Sequence, residues 1–149
     1  MRTKAALWAL SLFALAGCEP GPRSEKGFRL PDGDAAQGTE TFLALKCNAC
    51  HRVHGVDLPP PPEGTEPVVL GGGVPRIKTY GELVTMIINP SHSLAGGHLK
   101  GKIARNGMSK MPVYNDTMTV TQLSNLVAFL QARYEIKRDD DLYYPYFGP

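Results

Sequence analysis

Five consecutive residues, Cys47-Asn48-Ala49-Cys50-His51, place two thiols three positions apart and an imidazole directly after the second. This is the C-x-x-C-H spacing through which a chain takes up a c-type haem. Each thiol can add across one vinyl group of the same porphyrin edge. The imidazole then projects under the ring and reaches iron from the proximal side. Covalent attachment also suits an exported protein, because the cofactor cannot diffuse away. Other chemistries fit the spacing less well. A redox C-x-x-C normally opens a helix after a strand, whereas this one closes a helical segment. A zinc site needs four ligands, and only two thiols remain once Cys18 is set aside for lipid. A disulfide across so short a loop is strained.

Iron has a sixth position, for which His54, His92, His98, Met108, Met111 and Met118 are the candidates. His54 lies only three residues past His51, too near to cross to the opposite ring face. Met111 precedes Pro112, which bars helix around it and favours an extended segment. Such a loop can lie along the ring and present a thioether to iron. Met paired with His is the arrangement that raises haem potential in electron-carrying proteins. Met108 stands as the alternative, and Met118 reads as core filler.

The elements that must position these groups are modest. The chain has 149 residues, 42% hydrophobic and 20% charged, with a formal net charge of +2. That suits one domain and argues against both a charged, disordered tail protein and a nucleic-acid binder. Asp34 as N-cap and Gln37 in the capping-box position predict a helix from about Ala35 to Lys46. Residues 55–78 hold six prolines and the Gly71-Gly72-Gly73 triplet, so no helix or central strand is expected there. A short helix is expected over Tyr80–Ile88, ended by Asn89-Pro90, and loop with short helical turns over 91–118. Thr119 and Gln122 predict the start of a last helix whose stripe Leu123, Leu126, Val127 and Leu130 runs to about Glu135. With no alternating strand pattern, the class is all-α. Three such helices cannot bury a normal core, so something large and apolar must fill the middle.

The first seventeen residues read as an address. Arg2 and Lys4 precede Ala5 to Gly17, a stretch without charge and well short of the ~20 residues that cross a bilayer as a helix. A positive start, an apolar middle and small residues at the end mark an export signal. Its end, Leu15-Ala16-Gly17-Cys18, resembles the lipobox of bacterial lipoproteins. That resemblance implies that Cys18 becomes the mature N-terminus and carries lipid. It also implies a location on the periplasmic side of a bacterial membrane, the outer membrane in a Gram-negative host because Glu19 rather than Asp follows the Cys. Residues 18–32 then form a tether, 33–136 a domain and 137–149 an acidic and aromatic tail.

From Gly33 to Glu135 the chain resembles a class I monohaem cytochrome c. The likeness rests on Gly38 and Phe42 in the first helix, C-x-x-C-H at 47–51, the Met111-Pro112 pair and the final helix. It implies the class I cytochrome c fold, in which the first and last helices cross and Pro/Gly-rich loops wrap one covalent haem. Here Gly38 and Phe42 would face Leu126, Phe129 and Leu130. It also implies a loop carbonyl on the proximal histidine, at a position that the run Pro59–Pro62 leaves open, and makes Arg76 a candidate for a haem propionate. Cys47 and Cys50 would hold the haem c, with His51 and Met111 as ligands to its iron.

The function implied is one-electron transfer between redox proteins, a donor and an acceptor. Residues 46–110 carry eight basic residues against four acidic ones. Lys46, Lys100, Lys102 and Lys110 would form a rim that steers partners with acidic docking faces. A fixed subunit of a larger membrane-associated oxidoreductase is the alternative, motivated by the anchor and the tail Leu142-Tyr143-Tyr144-Pro145-Tyr146-Phe147. A haem peroxidase or ligand sensor lacks support, because no acid–base constellation stands out.

Overall fold

Asp34 opens the first helix as its side chain requires. Its carboxylate accepts from the Ala36 and Gln37 N–H groups at 2.7 and 3.1 Å, satisfying two donors that have no partner inside a helix. The computed structural model describes residues 28–94 and 100–137. The export segment, Cys18, most of the tether, His98 and the tail from 138 onward lie outside them.

Helix α1 spans Ala35–Ala44, two residues shorter than expected, because Lys46 takes a left-handed φ of 56° that no helix interior tolerates. A 3₁₀ turn, Cys47–Ala49, follows at once. Helix α2 is Tyr80–Ile88, opened by a full capping box between Thr79 and Glu82. Helix α3 is the short Lys100–Ile103. Helix α4 spans Val120–Gln131, and both bonds of its Thr119–Gln122 capping box form. The described residues thus hold four helices: the three expected, and α3 within the stretch expected as loop with short helical turns.

Three small ladders join them. Strand β1 (His51–Val53) pairs in parallel with β2 (Val68–Leu70), and β3 (Gly72–Val74) pairs in parallel with β6 (Tyr134–Ile136). Strands β4 (Ala104–Arg105) and β5 (Met108–Ser109) form an antiparallel pair. The expected run of the last helix to Glu135 is corrected by β6, because Arg133 to Lys137 give their backbone groups to residues 72–74 instead. Each ladder has only two strands, so the proline-rich stretch still holds no central strand.

Helices α1 and α4 meet where the sequence is smallest. A Cβ on Gly38 would collide with the Asn125 carbonyl oxygen and stand 2.5 Å from Phe129 Cβ. Only glycine permits so close an approach of two backbones. Below it, the Phe42 and Phe129 rings meet edge-on at 5.7 Å, a favoured aromatic geometry. Asn125 also accepts the Asp34 N–H through Oδ1 at 2.8 Å. The last helix thereby supplies the acceptor that a capping box would take from Gln37. Val53, Leu83, Val84, Ile87, Leu123, Leu126, Val127 and Leu130 complete the buried apolar set among the described residues.

At the start of α2, Arg76 forks onto Glu82 through two bonds of 2.8 and 2.7 Å. The Arg76 hydrogen bond, helped by the Thr79 N–H, holds the Glu82 carboxyl down at about 2. A depressed carboxyl stabilises the fold above its ordinary range and loses that contribution as pH falls toward the folded value. Glu82→Gln keeps an acceptor for Thr79 but removes the charge. Wild type should therefore melt above Glu82→Gln at neutral pH. The gap should close on acidification from about pH 5 toward pH 2 in thermal melts. The pair is exposed, so the gap is small.

Candidate functional site

The 3₁₀ turn after α1 presents the two thiols, and β1 begins on the imidazole. Cys47 is partly buried and packs against the core, Cys50 is exposed, and neither is in a disulfide. Burial pushes the Cys47 thiol up to about 11; the neighbouring Cys50 adds to this, and a backbone hydrogen bond opposes it. The Asn48 amide holds the turn to the proline loop by donating to the Pro59 carbonyl at 3.3 Å.

His51 is enclosed. Burial lowers its pKa, and the Val68 backbone acts the other way. Burial thus favours the neutral imidazole, the form that ligates metal. Its Nδ1 is buried and makes no hydrogen bond. A polar atom left so is costly without a partner, and a neutral imidazole beside two free thiols is the donor set that a covalently held haem requires. The residues present fit that group. Among the described residues, no three His, Cys, Asp or Glu side chains cluster as a bare metal-ion site.

The segment carrying Met111 is pinned by side chains. The Ser109 N–H donates to Ser91 Oγ at 3.0 Å, and the Met111 N–H donates to Ser109 Oγ at 3.1 Å. The Asn115 amide donates to the last carbonyl of α2, on Ile88, at 3.0 Å. The Thr117 and Met118 N–H groups both return to the Tyr114 carbonyl. Burial raises the Tyr114 phenol, and the fields of Cys47 and Cys50 raise it further. Met111 is half-buried, whereas Met108 is 61% exposed on β5 and Met118 packs on the core.

Other expected residues are placed elsewhere. Arg76 is committed to Glu82 rather than left for a propionate. Lys102 pairs with Glu66, and Lys110 donates to the Gly101 carbonyl at 3.1 Å. Lys46 is exposed directly before Cys47, while His54 and His92 are exposed away from any ligand set. The sequence reading missed Val68 and Tyr114. Val68 follows Pro67 in a strand of three residues, too short for a period-2 signal. Tyr114 sits three residues past Met111, a spacing that carries no meaning until the loop is folded.

The cytochrome c family model matches residues 35–133. No curated protein and no solved structure matches the chain. With the C-x-x-C-H turn and the pinned methionine loop within that match, the chain belongs to the cytochrome c family, whose cofactor is one covalently bound haem c with its iron.

Proposed function

We propose that this chain carries single electrons on one haem held by Cys47 and Cys50, with His51 as proximal and Met111 as distal iron ligand. The observation that supports the reading is the C-x-x-C-H turn, with two free thiols and a partly buried imidazole of lowered pKa, inside the residues that the family model matches. A His/Met-ligated haem has no open position for substrate, so its chemistry is one-electron exchange through the ring edge. The protein's part is to exclude water and hold the ligands. Burial favours unprotonated His51, Ser109 and Asn115 hold the Met111 loop, and Asn48 ties the turn to the proline loop. The close approach at Gly38 supports the crossing of the first and last helices, with Pro/Gly-rich loops wrapping the haem. The test is acid–acetone extraction, in which the haem should stay with the denatured polypeptide. Haem that extracts freely overturns the reading.

The same proposal gives the chain a signal peptide over 1–17, a lipid anchor on Cys18, a tether to residue 32, a cytochrome domain over 33–136 and a tail over 137–149. The protein then works on the periplasmic side of a bacterial membrane with redox partners that present acidic faces. Exposed Lys46 beside the motif supports that polarity, although Lys102 is already neutralised by Glu66. Several acyl chains make such an anchor effectively permanent. Cys18→Ser should therefore release a soluble protein with its haem spectrum unchanged, as fractionation in high salt and carbonate reads. A variant that stays in the membrane fraction assigns retention to another segment. The aromatic tail favours a second reading, a fixed subunit of a membrane oxidoreductase, which shares the haem chemistry and differs only in the permanence of the partner.

A further inference from the structure

The C-x-x-C-H turn and the Met111 loop belong to two separate stretches of chain, residues 47–70 and 100–118. Each stretch is tied up on its own. In the first, the Val68 N–H donates to the Cys50 carbonyl at 2.9 Å, and the Asn48 amide holds the Pro59 carbonyl. In the second, the Lys110 N–H donates to the Ile103 carbonyl at 2.8 Å, and Lys110 Nζ donates to the Gly101 carbonyl at 3.1 Å. Helix α3 is thereby fastened to the residue that precedes Met111. Ser91 and the Ile88 carbonyl hold the same loop to the end of α2.

Between the two stretches the described residues show one polar link, the ion pair of Lys102 with Glu66. Lys102 lies on α3 between the two carbonyls that Lys110 grips, and Glu66 lies two residues before Val68. The pair spans 36 residues of sequence. The other ion pairs among the described residues, Arg29–Asp32 and Arg76–Glu82, span three and six. A short-range pair organises its own turn. This one sets how far apart two independent segments stand. Its side chains remain 45% and 70% exposed, so dissolved salt reaches and screens them.

We propose that Lys102 and Glu66 form a clasp that positions the Met111 loop against the stretch carrying the C-x-x-C-H turn. The proposal rests on Met111 being the distal ligand. With the clasp closed, α3 and Lys110 hold the thioether in place. With it open, the loop keeps only its ties to α2 and leaves the sixth position more often. Both are positioning residues, since neither touches the iron. An exposed pair is weak, so the clasp sets how often the loop opens and leaves Met111 the ligand at equilibrium.

The haem-loaded ferric protein tests this with imidazole as the probe, in mildly alkaline buffer where the probe is neutral. The readouts are the rate of imidazole binding, its response to salt, the far-red sulfur-to-iron band and the melting temperature. Glu66→Gln and Lys102→Gln should each speed binding about two- to fivefold at low salt. The wild-type rate should climb toward theirs in molar salt, where their own rates barely move. Glu66→Lys should bind faster still, because two cations then face each other. Glu66→Lys combined with Lys102→Glu should return the rate toward wild type. The far-red band should persist in all of them. Thr79→Ala, which removes a helix cap from α2, should lower melting and leave the rate alone. Clasp variants that melt lower yet bind imidazole at the wild-type rate overturn the proposal and leave the pair purely structural. A wild-type rate that ignores salt, or a charge swap no slower than Glu66→Lys alone, overturns it as well. Met111→Ala that keeps the far-red band overturns the ligand assignment and the proposal with it. A band lost in Met111→Ala, with the rate unmoved in Glu66→Gln, overturns the proposal alone.

Discussion

Cys47→Ala combined with Cys50→Ala should abolish covalent haem attachment, leaving a polypeptide from which acid–acetone removes all porphyrin. The two sulfurs are the only cysteine thiols among the described residues, and both belong to one turn of three residues and its C-cap. No other side chain in that turn can form a thioether. The loss should extend beyond the cofactor. Besides Phe42 and Phe129, the buried apolar set among the described residues is eight aliphatic residues drawn mostly from α2 and α4, a small core for a domain of this size. The double variant should therefore melt broadly, with circular dichroism showing helix without a cooperative transition. Each single variant should keep one thioether and resist extraction. Porphyrin that resists extraction from the double variant would place the attachment on another residue.

Met111→Ala should remove the weak far-red sulfur-to-iron band of the oxidised protein and lower its midpoint potential. The shift should be on the order of 0.1 V, a fraction of the ~0.8 V range that axial ligands span. It should also open the sixth position, so that reduced protein binds carbon monoxide rapidly where wild type does not. Met108→Ala should change none of these. Met111 is half-buried and its backbone is tied to Ser109, whereas Met108 is 61% exposed on a two-residue strand. The reverse pattern would move the ligand to Met108. Rapid carbon monoxide binding by wild type would favour a ligand-sensing haem over an electron carrier.

What could be read directly from the residues was local. The bounds of α2 follow from Asn89-Pro90 at one end and an apolar run before it, and the start of α4 from Thr119 and Gln122. C-x-x-C-H is legible because its chemistry depends on spacing within five residues. What failed to show was every pairing between distant segments. Nothing near Tyr134 announces that it will lie beside Gly72, since an isolated Tyr-Glu-Ile triplet continues a helical stripe as readily as it forms a strand. Asn125 was invisible as the acceptor for Asp34, 91 residues away, because an Asn on a helix surface has many uses. Arg76 was equally ambiguous until Glu82, six residues on, placed both carboxylate oxygens on its guanidinium.

The meeting of α1 with α4 at Gly38 also sets the order in which this chain can fold. Contacts between the two ends of a domain form late, because the intervening loop must close before any packing energy is gained. Until Val120–Gln131 is complete, α1 has no surface on which to lay Gly38 and Phe42. A ten-residue helix is marginal alone in water. The turn that follows it, with Cys47 and Cys50, therefore hangs from a helix that has not yet docked. The docking of the last helix therefore fixes where the C-x-x-C-H turn finally sits.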